Sequence, residues 1–301
     1  MDSLVGQRLG AYLLEEEIVR GSMGVVYRAT QMETGAVAAV KVLLDALSSD
    51  DSFVMRFTRE ARIIQSLQHP NILRMFDTGQ DQGRLFFTME YFAGNTAGQL
   101  RKQNGRLPAG KVVEICAQAA DALDYAHTQG HLVHRDVKPE NLLVDRWVRV
   151  KVLDFGLARV EGLQSITRAG TVVGSLYYVS PEQLLGRQLD GRADVYALGV
   201  SMYEMLTGQR PYRGRTMTEM TDAILAGEAV PPSKLEPSVT PALERIVLRA
   251  MARERDKRHA TAGELRDELR QFQSQGVVER DNARESPGGG RAVGSNSRPR
   301  R

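Results

Sequence analysis

Between His131 and Gly156 the chain spaces oxygen donors and ammonium groups closely enough to act on one small, highly charged substrate. The first stretch reads His131-Leu132-Val133-His134-Arg135-Asp136-Val137-Lys138-Pro139-Glu140-Asn141-Leu142-Leu143-Val144, and the second Val150-Lys151-Val152-Leu153-Asp154-Phe155-Gly156. Carboxylate and amide oxygens are hard ligands suited to Mg²⁺ riding on phosphate oxygens. Chemistry on a metal-bound phosphate needs little covalent help but much positioning and charge neutralisation. Lysines supply the second of these. Lys41 closes Ala38-Ala39-Val40-Lys41, an otherwise apolar strand pattern in which an ammonium group is costly to bury without an anionic partner. Glu60 is the expected counter-ion, and a Lys41–Glu60 pair would hold the ammonium near the α- and β-phosphates of a nucleotide. The segment Ile18-Val19-Arg20-Gly21-Ser22-Met23-Gly24-Val25-Val26 lies between two strand patterns, where a glycine-containing hairpin can lay backbone N–H groups over phosphates.

The elements that must carry these groups are legible in the periodicity. Strand patterns cover Tyr12 to Val19, Val25 to Thr30, Val37 to Leu43, Ile72 to Asp77 and Leu85 to Glu90. One helix, about Ser52 to Leu67, interrupts them with Phe53, Phe57, Ile64 and Leu67 on one stripe. Beyond Gly94 the pattern turns helical, at Ala109 to His127, Arg192 to Thr207, Thr216 to Ala226, Pro241 to Arg253 and Ala262 to Phe272. The class is therefore α+β. A five-stranded antiparallel sheet lobe with one helix (about 12–91) precedes a mainly helical lobe (about 95–273), with a ligand cleft expected near residues 90 to 95. From Ser274 the composition shifts to Gly, Ser, Arg and Pro, which reads as a disordered basic tail over 274–301.

Charge narrows the function classes. The 301 residues carry a formal +3, and residues 274–301 hold six Arg against three acidic side chains, so the tail accounts for all of it. A balanced body argues against a nucleic-acid-binding core, which shows a clustered basic excess. The single Cys116 cannot form an internal disulfide and reads as a small buried apolar residue in a reducing compartment. No apolar run approaches the roughly 18 residues that a membrane helix needs. A cytoplasmic setting is expected, either as such or as the cytoplasmic part of a longer membrane-anchored protein.

Two of these motifs together resemble the eukaryotic-type protein kinase superfamily, in its bacterial serine/threonine branch. The catalytic-loop pattern H-R-D-x-x-x-x-N falls on residues 134–141 and D-F-G on 154–156. The resemblance covers about residues 12–272 and implies the bilobal protein-kinase fold, with transfer of the ATP γ-phosphate to Ser or Thr hydroxyls of protein substrates. By that resemblance Asp136 orients the acceptor hydroxyl and takes its proton, Lys138 stands against the γ-phosphate, and Lys41 and Glu60 form the paired phosphate clamp. Asn141 and Asp154 would hold Mg²⁺, with Mn²⁺ as an alternative. Met89 takes the place beside the adenine pocket. Glu90 and Phe92 would offer backbone groups to the base, Val26, Ala39 and Leu143 would sandwich it, and Val19, Gly21 and Gly24 would form the phosphate loop. Ser175, in Gly174-Ser175-Leu176-Tyr177-Tyr178-Val179-Ser180-Pro181-Glu182, would lie where substrate docks. Asp194 resembles the aspartate that braces the catalytic loop, and Arg258 the late arginine that pairs with Glu182.

Three departures stand out: Val19 where the family's phosphate loop begins with glycine, Ser175 in place of threonine, and Ser180 in place of alanine. A β-branched Val19 stiffens the turn. Arg135, directly before Asp136, resembles the kinase class whose activation loop is ordered when a phosphate pairs with that arginine. Ser165, Thr167 and Thr171 are the candidate phosphosites, the two threonines first, and a homodimer would allow phosphorylation in trans. A non-catalytic relative acting as a scaffold is the competing reading. It is disfavoured because Lys41, Asp136, Asn141 and Asp154 are all present.

Overall fold

Branched and aromatic residues alternate along the strand runs between Tyr12 and Glu90, which lets a sheet bury both of its faces against different partners. The computed structural model describes residues 3–21, 24–44, 51–155 and 174–285. Its first lobe is a six-stranded antiparallel sheet of β1 (Arg8–Leu9), β2 (Tyr12–Arg20), β3 (Gly24–Gln31), β4 (Val37–Leu43), β5 (Met75–Asp81) and β6 (Arg84–Glu90), in the order β1-β2-β3-β4-β6-β5. Register assigns the faces. Val26 pairs with Lys41 and Arg28 with Ala39, while on the other side of β4 Ala39 pairs with Met89 and Lys41 with Phe87. Directly opposed residues share a face, so Val26, Ala39, Lys41, Phe87 and Met89 look the same way. The opposite face buries Val25, Tyr27, Val40, Val42 and Phe86 with Leu4, Leu9 and Leu14 in a cluster of its own.

Two details differ from the sequence reading. A sixth strand, β1, pairs with β2 across the turn at Gly10. Two residues are too few to show any alternation. The strand expected at Ile72–Asp77 begins at Met75, because residues 71–73 pair instead with Val152 in the second lobe. There Leu73 N donates to the Val152 carbonyl at 3.0 Å, and Val152 N donates to the Asn71 carbonyl at 2.8 Å.

Helix α1 (Asp51–Ser66) packs Ala61 and Ile64 into a large core shared with Leu43 and Phe87 of the sheet and with the second lobe. That lobe contains α2 (Ala97–Asn104), α3 (Ala109–Gly130), α4 (Pro181–Leu184), α5 (Arg192–Thr207), α6 (Met217–Ala226), α7 (Pro232–Leu235), α8 (Pro241–Ala250) and α9 (Ala262–Glu285). A small sheet of β7 (Asn95–Thr96), β8 (Leu142–Val144) and β9 (Val150–Val152) lies between α2 and the catalytic segment. Every residue from Ala193 to Thr207 is buried, so α5 is the axle of the lobe. Gly199 allows this: a Cβ there would lie 2.8 Å from the Ala250 Cβ of α8. Cys116 is fully buried on α3, as read from the sequence.

Helix α9 runs to Glu285, so the tail expected to be disordered from Ser274 is helical over its first twelve residues. Nothing between Phe272 and Glu285 breaks a helix apart from a tolerated Gly276, and the Ser286-Pro287 step comes only afterwards. Residues 286–301 lie outside the described residues.

One buried ion pair ties the docking segment to the rest of the lobe. Arg258, 3% exposed, donates from Nη1 and Nη2 to Glu182 Oε1 and Oε2 at 2.7 and 2.9 Å, and its remaining N–H groups reach the carbonyls of Ala252, Arg192 and Arg253. Burial pushes the Glu182 carboxyl up, but the hydrogen bonds and charge of Arg258 outweigh it and leave the group below the ordinary glutamate value. A lowered folded value means that the pair's stability is complete above about pH 4.3 and is lost as pH falls through the folded value. Arg258→Met strands the carboxylate and is expected to cost about 3–5 kcal/mol, a fall in Tm of roughly 6–20 °C at neutral pH. Thermal unfolding at pH 7 and pH 3 checks this, and the gap from wild type should narrow at the lower pH.

Candidate active site

Asp136 sits in a loop whose shape is imposed from below. Asp194, 2% exposed in the first turn of α5, accepts from His134 N through Oδ2 at 2.7 Å and from Arg135 N through Oδ1 at 2.8 Å. Between those anchors and Asp136 the backbone takes an unfavourable turn, with Arg135 at φ +70°, a left-handed conformation that non-glycine residues adopt only when surroundings hold them. The His134 ring completes the support. Its Nδ1 accepts from Asp136 N at 3.3 Å, so Nε2 carries the proton to the Leu153 carbonyl at 2.7 Å. Gln183 Nε2 donates to the Arg135 carbonyl at 3.2 Å from α4. Burial pushes the Asp194 carboxyl above its ordinary value, although the two backbone N–H groups act against that shift.

On this frame the chemical groups converge. Lys138 Nζ reaches Asp136 Oδ2 at 2.6 Å, and Asn141 Nδ2 donates to the Asp136 carbonyl at 2.7 Å and to its Oδ2 at 3.1 Å. With its amide nitrogen turned to Asp136, Asn141 presents Oδ1 as an acceptor, the atom a hard cation takes. Lys41, 8% exposed, donates to Asp154 Oδ2 at 2.9 Å, which joins the sheet lobe to the segment after β9. Burial alone would raise the Asp154 carboxyl; Lys41 and Lys138 reverse that and hold it below the ordinary aspartate value, ionised at neutral pH. Asp154 is also left-handed, at φ +55°. Phe155 behind it is buried against His134, ring centroids 4.7 Å apart, so the Asp154 segment and the loop that carries Asp136 share one apolar support. An ionised carboxylate and an amide oxygen fit a divalent cation that also draws phosphate oxygens from its nucleotide. No cluster of three or more His, Cys, Asp or Glu that could hold a metal by protein ligands alone occurs among the described residues.

The residues expected from the sequence to face a nucleotide fall in both lobes. Val26 and Ala39 share the sheet face with Lys41, and Leu143 lies on β8, paired with Lys151 and Thr96. Glu90 N donates to the Arg74 carbonyl at 2.9 Å, and its side chain is fixed by Lys151 at 2.5 Å and by Arg74 N at 2.9 Å. Phe92 follows in the linker and is half-buried. Val19 stands in β2 opposite Val26, half exposed, where an extended ladder position accommodates a β-branched side chain. Gly21 N donates to the Gly24 carbonyl at 2.9 Å and closes the loop. Gly24 is a glycine for a different reason: a Cβ there would stand 2.0 Å from the Val42 carbonyl oxygen. The side chains of Glu60 and Ser175, together with Ser165, Thr167 and Thr171, lie outside what is described, so Lys41 is described with Asp154 rather than with Glu60.

The protein kinase domain family matches residues 12–269. This chain belongs to the protein kinase family. The kinase domain is 40% identical to the serine/threonine-protein kinase pkn3 of Myxococcus xanthus, a match that covers 89% of this chain and 51% of that protein. It is 39% identical to the serine/threonine-protein kinase PknB of Mycolicibacterium smegmatis, covering 86% of this chain and 42% of the relative. The chain thus spans about two fifths to one half of these relatives' length. Among solved structures, the PknI kinase domain of Mycobacterium tuberculosis superposes with a TM-score of 0.70 at 30% identity, covering 90% of this chain and 99% of that one.

Two contacts of the kinase domain went unread in the sequence. Ser180 caps α4 in a reciprocal box with Gln183, so a serine in place of alanine does structural work; Ser180-x-x-Gln183 was the available signal. Glu204 of α5 takes the Tyr178 hydroxyl and lies 3.3 Å from Arg101 and 3.6 Å from Arg210, contacts that no spacing rule reveals.

Asp194→Asn places an amide against two backbone donors. The expected result is a fall in kcat on the order of 10²-fold, as for a displaced catalytic group, with the KM for ATP little changed. Its pH readout is distinct. A raised folded value means that wild-type stability falls as pH rises from the ordinary aspartate range through the folded value, and the variant should lose that decline in pH-dependent unfolding.

Proposed function

We propose that the kinase domain transfers the γ-phosphoryl group of ATP to serine and threonine hydroxyls of proteins. The observation that carries this reading is the Asp136–Lys138–Asn141 cluster, held within 3.1 Å of a common carboxylate and facing the Lys41–Asp154 pair. Asp136 orients the acceptor hydroxyl and accepts its proton. Lys138, already hydrogen-bonded to that carboxylate, can move its ammonium to the transferring phosphoryl oxygens as charge builds. Lys41 neutralises the α- and β-phosphates, Glu60 is its proposed second partner, and Val26, Ala39 and Leu143 enclose the base beside the Glu90 carbonyl and Phe92. Asn141 and Asp154 hold the cation, assigned as Mg²⁺, with Mn²⁺, which takes the same oxygen ligands, as the alternative. When bound, the cation neutralises charge on the nucleotide. Serine/threonine choice rests on the Lys138-Pro139-Glu140-Asn141 context and on relatives named as serine/threonine kinases. Proteins are the proposed substrates, with Ser175 at the docking segment. The domain is assigned to the cytoplasm, where ATP is available, with phosphorylation of Thr167, Thr171 and Ser165 in trans by a second copy.

Transfer of labelled phosphate from ATP to a generic basic protein tests the reading. Asp136→Asn should reduce incorporation by about 10²- to 10⁴-fold, the range for loss of a general base. Equal incorporation by the two proteins would refute the assigned mechanism. Mass spectrometry after incubation with Mg-ATP should place phosphate on Thr167 or Thr171. Full activity with none between residues 157 and 180 removes the autophosphorylation step.

A further inference from the structure

We propose that the groove beside Trp147 is a docking site for an acidic peptide segment with an apolar residue at its centre. The turn between β8 and β9 presents Trp147 with 62% of its surface exposed. Large aromatics so placed on rigid backbone are characteristic anchors of protein interfaces. Rigidity here is built in. Val148 is held at φ +62°, a conformation that is costly for a β-branched residue. Asp145, itself buried, clamps the turn: its Oδ1 accepts from Trp147 N and Arg149 N at 2.9 Å each, and its Oδ2 from Arg149 Nε at 2.6 Å. An Asp-centred turn that holds a strained valine under an exposed indole is more than two short strands need for their connection.

Beside the indole is a cavity of about 470 Å³, within the size range of ligand clefts, walled by Leu100 of α2, Val144 and Trp147 and edged by Lys111 of α3 and Arg146. Its one acidic wall residue, Asp145, is engaged by Arg149. Neither Lys111 nor Arg146 has a carboxylate partner among the described residues, so the groove is apolar inside and cationic at its rim. Arg146 stacks on the indole, guanidinium carbon 3.8 Å from the ring centroid. A stacked guanidinium keeps its in-plane N–H donors for a carboxylate. Charge also excludes residues 286–301 as the occupant, because they carry four Arg and no acid. No wall residue is among those assigned to nucleotide, metal or acceptor. A segment held here would leave the rest of the same partner free to reach Asp136, raising its local concentration there.

Trp147 is the only tryptophan of the chain, so its emission reports this groove alone. The probe is a synthetic peptide of glutamates flanking a Leu-Leu pair, with its Ser-Ser counterpart and polyglutamate as controls. A saturable change in emission with the Leu-Leu peptide is expected, weakened roughly tenfold or more by Lys111→Glu with Arg146→Glu and by the Ser-Ser exchange. Joined to a serine substrate, the same segment should lower KM and leave kcat unchanged in wild type, with no effect in the double variant. No saturable change up to about 1 mM peptide, the limit of useful affinity, overturns the proposal. So does an equal response to polyglutamate, or an emission change that follows the concentration of the chain alone with a doubled mass in sedimentation, which marks a second copy as the occupant. The emission readout needs no phosphoryl transfer, so it stands apart from any failure of the proposed activity.

Discussion

Asp194 is a carboxylate set inside a helix that is buried from Ala193 to Thr207, and the backbone that leads into Asp136 is held by it. Burying a charge on an otherwise apolar axle is costly unless the lone pairs are filled. Here they are filled by two consecutive backbone N–H groups, at 2.7 and 2.8 Å. The arrangement works in both directions. The N–H groups stabilise the buried carboxylate, and the carboxylate holds Arg135 in a left-handed turn that would otherwise relax. Strain of this kind persists because the surroundings over-determine it. His134 adds a fixed tautomer, Gln183 a bond from the neighbouring helix, and Phe155 an apolar seat.

The second organising contact runs between lobes. A lysine in a sheet and an aspartate after β9, 113 residues apart in sequence, meet at 2.9 Å. The pairing of residues 71–73 with Val152 gives the lobes a backbone connection close to that ion pair, and the large core continues from α1 and β6 into the helical lobe. Phosphoryl transfer depends on placing fixed charges more than on moving atoms, so a cleft whose two walls share hydrogen bonds suits it.

Much of this was legible in the sequence, unevenly. The class, the two lobes and the bounds of α5 were readable because periodicity over a dozen or more residues outweighs local noise, and Gly208 ends α5 by accepting a left-handed conformation. Asp136, Lys138 and Asn141, which the sequence singles out, come together in the structure because they are close in the chain. What escaped was either too short to show a period, as with β1, whose partner β2 is only a few residues away, or decided by a partner far away in sequence. Strand β1 is two residues long, Ile72 pairs in parallel with Val152 instead of joining β5, and Glu204 gathers Tyr178, Arg101 and Arg210 from three separate segments. Helix α9 overran its expected end because composition suggested a tail where helix propagation costs little once an end is anchored.

Gly24 carries a consequence for reading related sequences. The residue type there is dictated by the Val42 carbonyl of the adjacent strand, whose oxygen leaves no room for a side chain. That requirement comes from the sheet alone. A descendant that had abandoned nucleotides would retain this glycine for as long as it retained the hairpin, whereas Gly21, where a Cβ would meet the Gly24 carbonyl oxygen at an ordinary 3.9 Å among the described residues, would be free to drift. Loss of Gly21 is therefore the informative event, and persistence of Gly24 attests only to an intact lobe.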